Sequence, residues 1–267
     1  MNSMELSLVL FTVFAQTAIG LTLMGAVKQW AAASGERAVA LPEWIVTAGF
    51  LAVGLVAGLF HLGHPTGAVR TLAGLGASWM SREVLTLLVL AALLVVTGIA
   101  AARAAPALGL LIVTALAGVA VLVAQGFAYA PPSYPALNNA APFAFFALTA
   151  VLCGASISAW FASEDKQPLL AWILATALVT GLALYLVVPC VWASGGTVME
   201  ATGRAFFASP LYWARVGGGL VLPLAVLAWS RRIPAWLPLL ILAGELVGRT
   251  LLFSHVVHTA ANLGGLY

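Results

Sequence analysis

Apolar residues fall along this sequence in long unbroken runs, neither alternating nor spaced for one face of a soluble helix. Eight runs are read, near residues 6–30, 44–63, 83–102, 106–129, 141–162, 168–192, 211–230 and 234–258. Each is close to the roughly 20 apolar residues an α-helix needs to cross a hydrocarbon core. A transmembrane barrel would instead show shorter segments of alternating polarity. Backbone groups in lipid must bond within their own segment, which leaves helices. The pattern predicts an all-α fold: a polytopic membrane helix bundle of about eight transmembrane helices, forming one integral membrane domain over residues 1–267.

Breakers mark the connections. Ser34-Gly35-Glu36-Arg37 separates the first two runs, and Arg103 with Pro106 marks a tight turn between the third and fourth. Pro131-Pro132 through Asn138-Asn139, Glu164-Asp165-Lys166 with Pro168, and Arg231-Arg232 with Pro234 close the later short connections. The segments between the second and third runs and between the sixth and seventh are longer, and are read as docking or site-forming loops. The first run extends to Trp30 without a basic start, so it is read as a retained helix rather than a signal peptide.

Composition agrees with the pattern. Hydrophobic residues make up 63% of the sequence and charged residues only 7%, against about 25% charged in a soluble domain. A net charge of +3, dispersed along the sequence, does not suggest nucleic-acid binding. Cys153 and Cys190 fit neither a disulfide framework nor a metal motif and are read as buried small apolar side chains. There is no Walker loop, no dinucleotide fingerprint, no CxxC and no HExxH. Lys28, Arg37, Arg103, Lys166, Arg231 and Arg232 fall on one membrane face; Arg70, Arg82, Arg204, Arg215 and both termini fall on the other. The bias predicts termini on the outer side. Trp79 with Arg82 and Trp213 with Arg215 read as interfacial anchors.

Ionisable groups at membrane depth are costly unless paired or functional. His61 and His64 end the second run and can either cap that helix or accept a proton. Glu83 opens the third run, behind Ser78, Ser81 and Arg82, and can favour the helix start or serve as an acid–base group. Because the two runs are consecutive, His61 and Glu83 are expected on the same face and close together. Glu245 and Arg249 lie one helical turn apart in the eighth run and must pair with each other or with a neighbour. Gln16, in the first run, is expected to bond across helices or to touch a polar headgroup.

The order of these motifs resembles one family, the membrane anchor subunits of the dimethyl sulfoxide reductase type. The motifs are Phe11-Thr12-Val13-Phe14-Ala15-Gln16, Phe60-His61-Leu62-Gly63-His64-Pro65, Gly76-Ala77-Ser78-Trp79-Met80-Ser81-Arg82-Glu83-Val84, Tyr212-Trp213-Ala214-Arg215 and Ala243-Gly244-Glu245-Leu246-Val247-Gly248-Arg249. The resemblance implies a bacterial or archaeal cytoplasmic membrane protein. It implies oxidation of a quinol, menaquinol or ubiquinol, with electrons passed to an iron–sulfur subunit and on to a molybdopterin catalytic subunit. No haem is implied, and the iron–sulfur clusters and molybdopterin belong to the partners. His61 and Glu83 match the family's acid–base pair, with His64, Arg82 and Gln16 as further candidate quinol ligands. Two other readings stand beside it. One is a haem b-type anchor using the four histidines; the other is a secondary transporter using Glu245, Arg249 and Gly217-Gly218-Gly219.

Overall fold

The computed structural model describes residues 3–32, 40–61, 71–103 and 108–261, and for Ser3, Met4 and His61 the backbone only. His64 and Arg70 lie outside the described residues. The described residues are largely helical and include no strand. The helices are α1 (Ser3–Trp30), α2 (Leu41–His61), α3 (Trp79–Ala102), α4 (Leu108–Ala128), α5 (Ala141–Ser158), α6 (Gln167–Ala193), α7 (Thr197–Ala208), α8 (Pro210–Val216), α9 (Leu222–Ser230) and α10 (Leu237–His255). A single π-helical turn, Gly217–Val221, joins α8 to α9 into one span. Eight helical stretches are long and apolar enough to cross a membrane.

Their burial sets the arrangement. The apolar windows of α1 and α5 are 67% and 72% buried, against 28% for α3, so α1 and α5 form the centre and α3 lies toward lipid. Without a hydrophobic drive between helices in lipid, close packing by small residues holds such a centre together. Gly20 and Gly154 supply it: a methyl on Gly20 would lie 1.8 Å from the Ala150 carbonyl oxygen. Gln16, one turn before Gly20, is thereby brought against the helix that carries Thr149. A second close approach joins α10 to the π turn, where a methyl on Gly219 would come within 3.0 Å of Gly244 Cα.

Three expectations change. The connection between the sixth and seventh spans is no simple loop: it contains α7, which buries Thr202, Gly203 and Phe206. The third span opens at Trp79, with Ser78 at the cap position but its hydroxyl making no capping bond. Glu83 therefore sits beyond the first turn, where a helix dipole weakens. Cys153 is buried but Cys190 is exposed on the helix surface. An apolar membrane helix needs no burial to keep a small side chain out of water, because lipid does the same.

Candidate functional site

Consecutive spans alternate in direction, so the ends of α2, α4, α6 and α10 share a face with the starts of α1, α3, α5 and α8. In the half of the bundle nearest that face, buried polar side chains from six helices form two linked groups. In the first, an Arg215 guanidinium nitrogen donates to Glu245, and the Thr149 hydroxyl donates to the other Glu245 oxygen at 2.6 Å. Arg215 also donates to the Gly219 carbonyl at 3.2 Å and lies over the Tyr185 ring. The residue four positions on, Pro223, has no N–H, so that carbonyl lacks its ordinary helical donor. In the second, Arg249 donates to Gln16 at 2.7 Å and to Thr149 at 2.9 Å, with its guanidinium 4.2 Å from the Phe146 ring. Gln16 in turn donates to Gln125 at 3.1 Å.

The second group ends at Glu83. Gln125 is the side chain that lies beside this carboxylate, and among the described residues neither Gln125 Nε2 nor Glu83 Oε1, both buried, has a hydrogen-bond partner. Glu83 itself is 5% exposed. It lies four residues into α3, about 6 Å below the helix start. At the start of the same helix the Trp79 ring stacks on Phe127 at 4.3 Å, and the Arg82 guanidinium lies 4.3 Å from the Trp79 ring. Arg82 donates to the carbonyls of Leu75 and Gly76, both at 3.1 Å, and so clamps the turn before α3. Tyr129, just past α4, packs against Phe146 and Phe253. Burial raises its phenol well above the ordinary value; the nearby Glu83 charge adds to this and Arg249 opposes it.

The expected residues divide between these groups and the loop. Glu83 and Gln16 join one network through Gln125. Arg82 is adjacent to Glu83 in sequence but bound to the loop. His61 ends α2, which packs on α3, and its side chain lies outside the described residues, as does His64. Glu245 and Arg249 do not bond to each other. Glu245 pairs with Arg215 from the neighbouring span, and Arg249 turns to α1 and α5. Arg215 is fully buried, so it is no interfacial anchor, whereas Trp213 is exposed as an anchor would be. Gln125 and Thr149 were not singled out from sequence: a lone amide or hydroxyl within an apolar run is the only signal either gives.

At the opposite face Lys28 and Glu43 form a second buried ion pair, with Nζ 2.8 and 2.6 Å from the two carboxylate oxygens. Ser158 donates to the same carboxylate. The glycines offered for a transport path begin the π turn, and Gly219 packs on Gly244 of α10. His255 bonds Ser254, and His258 accepts from the Ala260 amide and meets the Tyr134 ring edge, so these two imidazoles are engaged separately. Neither alternative reading gains support.

Comparison with known proteins adds two findings. The family model of the DMSO reductase anchor subunit (DmsC) matches residues 1–201. The C subunit of the anaerobic dimethyl sulfoxide reductase of Haemophilus influenzae is 33% identical over 172 residues, covering 61% of this sequence and 60% of that relative. The match thus spans less than two thirds of the curated relative. Glu83, Gln16, Gln125 and Thr149 fall within the family match; Arg215, Glu245 and Arg249 follow it. With eight apolar spans and a family match over three quarters of its length, the protein belongs to the DMSO reductase anchor subunits and is a multi-pass membrane protein.

Proposed function

We propose that this anchor oxidises a quinol, menaquinol or ubiquinol, beside Glu83 and His61. Two electrons then pass to an iron–sulfur subunit, which feeds a molybdopterin catalytic subunit. The observation that carries the reading is Glu83 Oε1, an acceptor buried at the membrane edge with no hydrogen-bond partner among the described residues. Buried polar atoms are nearly always satisfied, and the exceptions point to a role. A quinol hydroxyl is a suitable donor. Oxidation breaks two O–H bonds, releases two electrons and leaves a quinone. Glu83 accepts one proton and the His61 imidazole the other, and the burial of Glu83 keeps its carboxylate from bulk water.

Two cysteines fall short of the four ligands of an iron–sulfur cluster. The electron acceptor therefore belongs to a partner that docks near Glu83, over the turn at 71–78 and α7. Counting only cations outside buried pairs, Arg37, Arg103, Lys166, Arg231 and Arg232 oppose Arg70, Arg82 and Arg204. That bias supports termini, and docked partners, on the outer side of a bacterial or archaeal cytoplasmic membrane.

The test is quinol-dependent reduction of the partner's clusters, read by absorbance and electron paramagnetic resonance. In the assembled complex, Glu83→Gln should slow it on the order of 100-fold, the usual contribution of a positioned base. His61→Leu should do the same without loss of assembly. Undiminished reduction in either variant would overturn the reading.

A further inference from the structure

Resting on the reading of Glu83 as the quinol's base, we propose that Arg249, Gln16 and Gln125 form a one-way donor relay. They act as positioning residues that present Glu83 to the quinol as a proton acceptor. The argument is one of hydrogen-bond direction. A guanidinium has five N–H donors and no acceptor. Arg249 Nη2 therefore takes the oxygen of Gln16. The Gln16 nitrogen is left to donate, and it takes the oxygen of Gln125. The only donor remaining on Gln125 is Nε2, and this end lies at Glu83. Amide orientation is usually ambiguous, but here the opposite choice would press an NH2 group against a guanidinium. The cation at one end sets both amides, and they deliver a donor to the carboxylate at the other.

Charge balance points the same way. Glu245 is bound by Arg215 and Thr149, so among the described residues Arg249 has no carboxylate within hydrogen-bond reach. Glu245 is the nearby carboxylate that acts on its charge, but its hydrogen bonds go to Arg215 and Thr149, so the carboxylate that Arg249 addresses through its own hydrogen bonds lies at the far end of the relay, Glu83. Among the described residues the other groups facing Glu83 are few. Gln125 of α4 and Tyr129 just beyond it lie on one side, and Arg249 of α10 acts through Gln16 of α1. The α3 neighbour Arg82 is turned to the Leu75 and Gly76 carbonyls. From α2, His61 ends the helix on the same face.

A polar plug that merely knits helices would tolerate a carboxylate in place of Gln16, since it would sit against Arg249. The relay would not. In Gln16→Glu the new carboxylate accepts from both neighbours, so Gln125 donates backwards and turns its carbonyl to Glu83. The experiment uses the complete membrane complex with a soluble quinol analogue as electron donor. Gln16→Glu should assemble normally, lose on the order of 100-fold in rate per assembled complex, and shift the acid limb of its pH profile upward. An unchanged rate and profile would overturn the relay. Should that variant assemble poorly, Arg249→Lys and Arg249→Gln decide. Lysine keeps a donor-only cation and should retain most of the rate; glutamine lets both amides turn and should not. Equal rates per complex for these two would also overturn it. Glu83→Gln, run alongside, separates the two proposals. If it turns over like wild type, the quinol reading falls; if it alone is impaired, only the relay falls.

Discussion

The two ends of the bundle each bury charge, but they do so differently. At the Lys28 end, one ammonium meets both oxygens of Glu43 and a serine hydroxyl completes the carboxylate. Lys28 lies in the last turn of α1 and Glu43 in the first turn of α2, where each also suits its helix dipole. The ion pair is local, joining consecutive helices, and with Ser158 of α5 added its carboxylate is saturated. At the terminal face the polar groups come from six helices, and among the described residues atoms of Glu83, Gln125, Arg215 and Arg249 have no hydrogen-bond partner. A buried network gains little stability when only partly satisfied. The contrast separates charge that holds helices together from charge kept available. It also divides the terminal network itself, because Glu245 with Arg215 resembles the Lys28 end while Glu83 does not.

The largest effect is expected at Arg215. Arg215→Leu leaves Glu245 buried with only Thr149, at a cost of about 3–5 kcal/mol. The variant should accumulate poorly and melt early in detergent. Adding Glu245→Met should restore much of the loss, because a well-packed apolar pair can replace a buried ion pair. If the double variant is no better than the single, the pair is not a simple structural unit and the comparison fails there.

Next comes Glu43→Gln at the other end. The amide keeps its volume but loses the charge facing Lys28, at about 1.5–3 kcal/mol, the range for hydrogen bonds to charged groups. Stability should fall while quinol oxidation per assembled complex stays at the wild-type rate. A fall in rate instead would give the Lys28 end a role in turnover and erase the distinction between the two ends.

Thr149→Val should be smaller still, near 1–3 kcal/mol. It removes the donor to Glu245 and the acceptor of Arg249 together. Because Arg249 retains Gln16, the relay should survive and the rate per complex should change little. A rate loss as large as that of Gln16→Glu would merge the two groups into one.

The sequence made the helices legible because lipid imposes one simple rule, length with apolarity, and eight stretches obey it. It made the partners much less so. Glu245 and Arg249 stand at pairing distance along a helix, yet Glu245 bonds a residue 30 positions earlier, because α10 faces the π turn on one side and α1 on another. Arg215 looked interfacial by its place near a span's start, and only the helix packing sinks it. A run apolar all round does not say which face meets lipid, which is why Cys190 emerges exposed. Gln125 gives no signal until Gln16 and Glu83 are brought to either side of it. Glu83 was visible as a costly carboxylate, but its open oxygen is a fact of three dimensions.

The smallest effect is expected at the surface. Arg204 pairs with Glu200 one turn away on α7, and both are exposed, Arg204 by 77% of its side chain. Such a pair is largely solvent-screened and contributes at most a few tenths of a kcal/mol. Arg204→Ala should leave the melting temperature of the isolated anchor unchanged within error. If α7 is part of the docking face, the same variant should still loosen the partner, because a rim charge steers association even where it adds little stability. The loss should be greatest at low salt and vanish as salt rises, since screening at higher ionic strength removes such steering from the wild type too. Crosslinking from Thr71→Cys to the iron–sulfur subunit checks the same face without relying on charge. A partner that crosslinks only from the loops at Lys166 or Arg231, and binds Arg204→Ala as it binds wild type, would place docking at the Lys28 end. Glu83 would then be a full bilayer away from its electron acceptor.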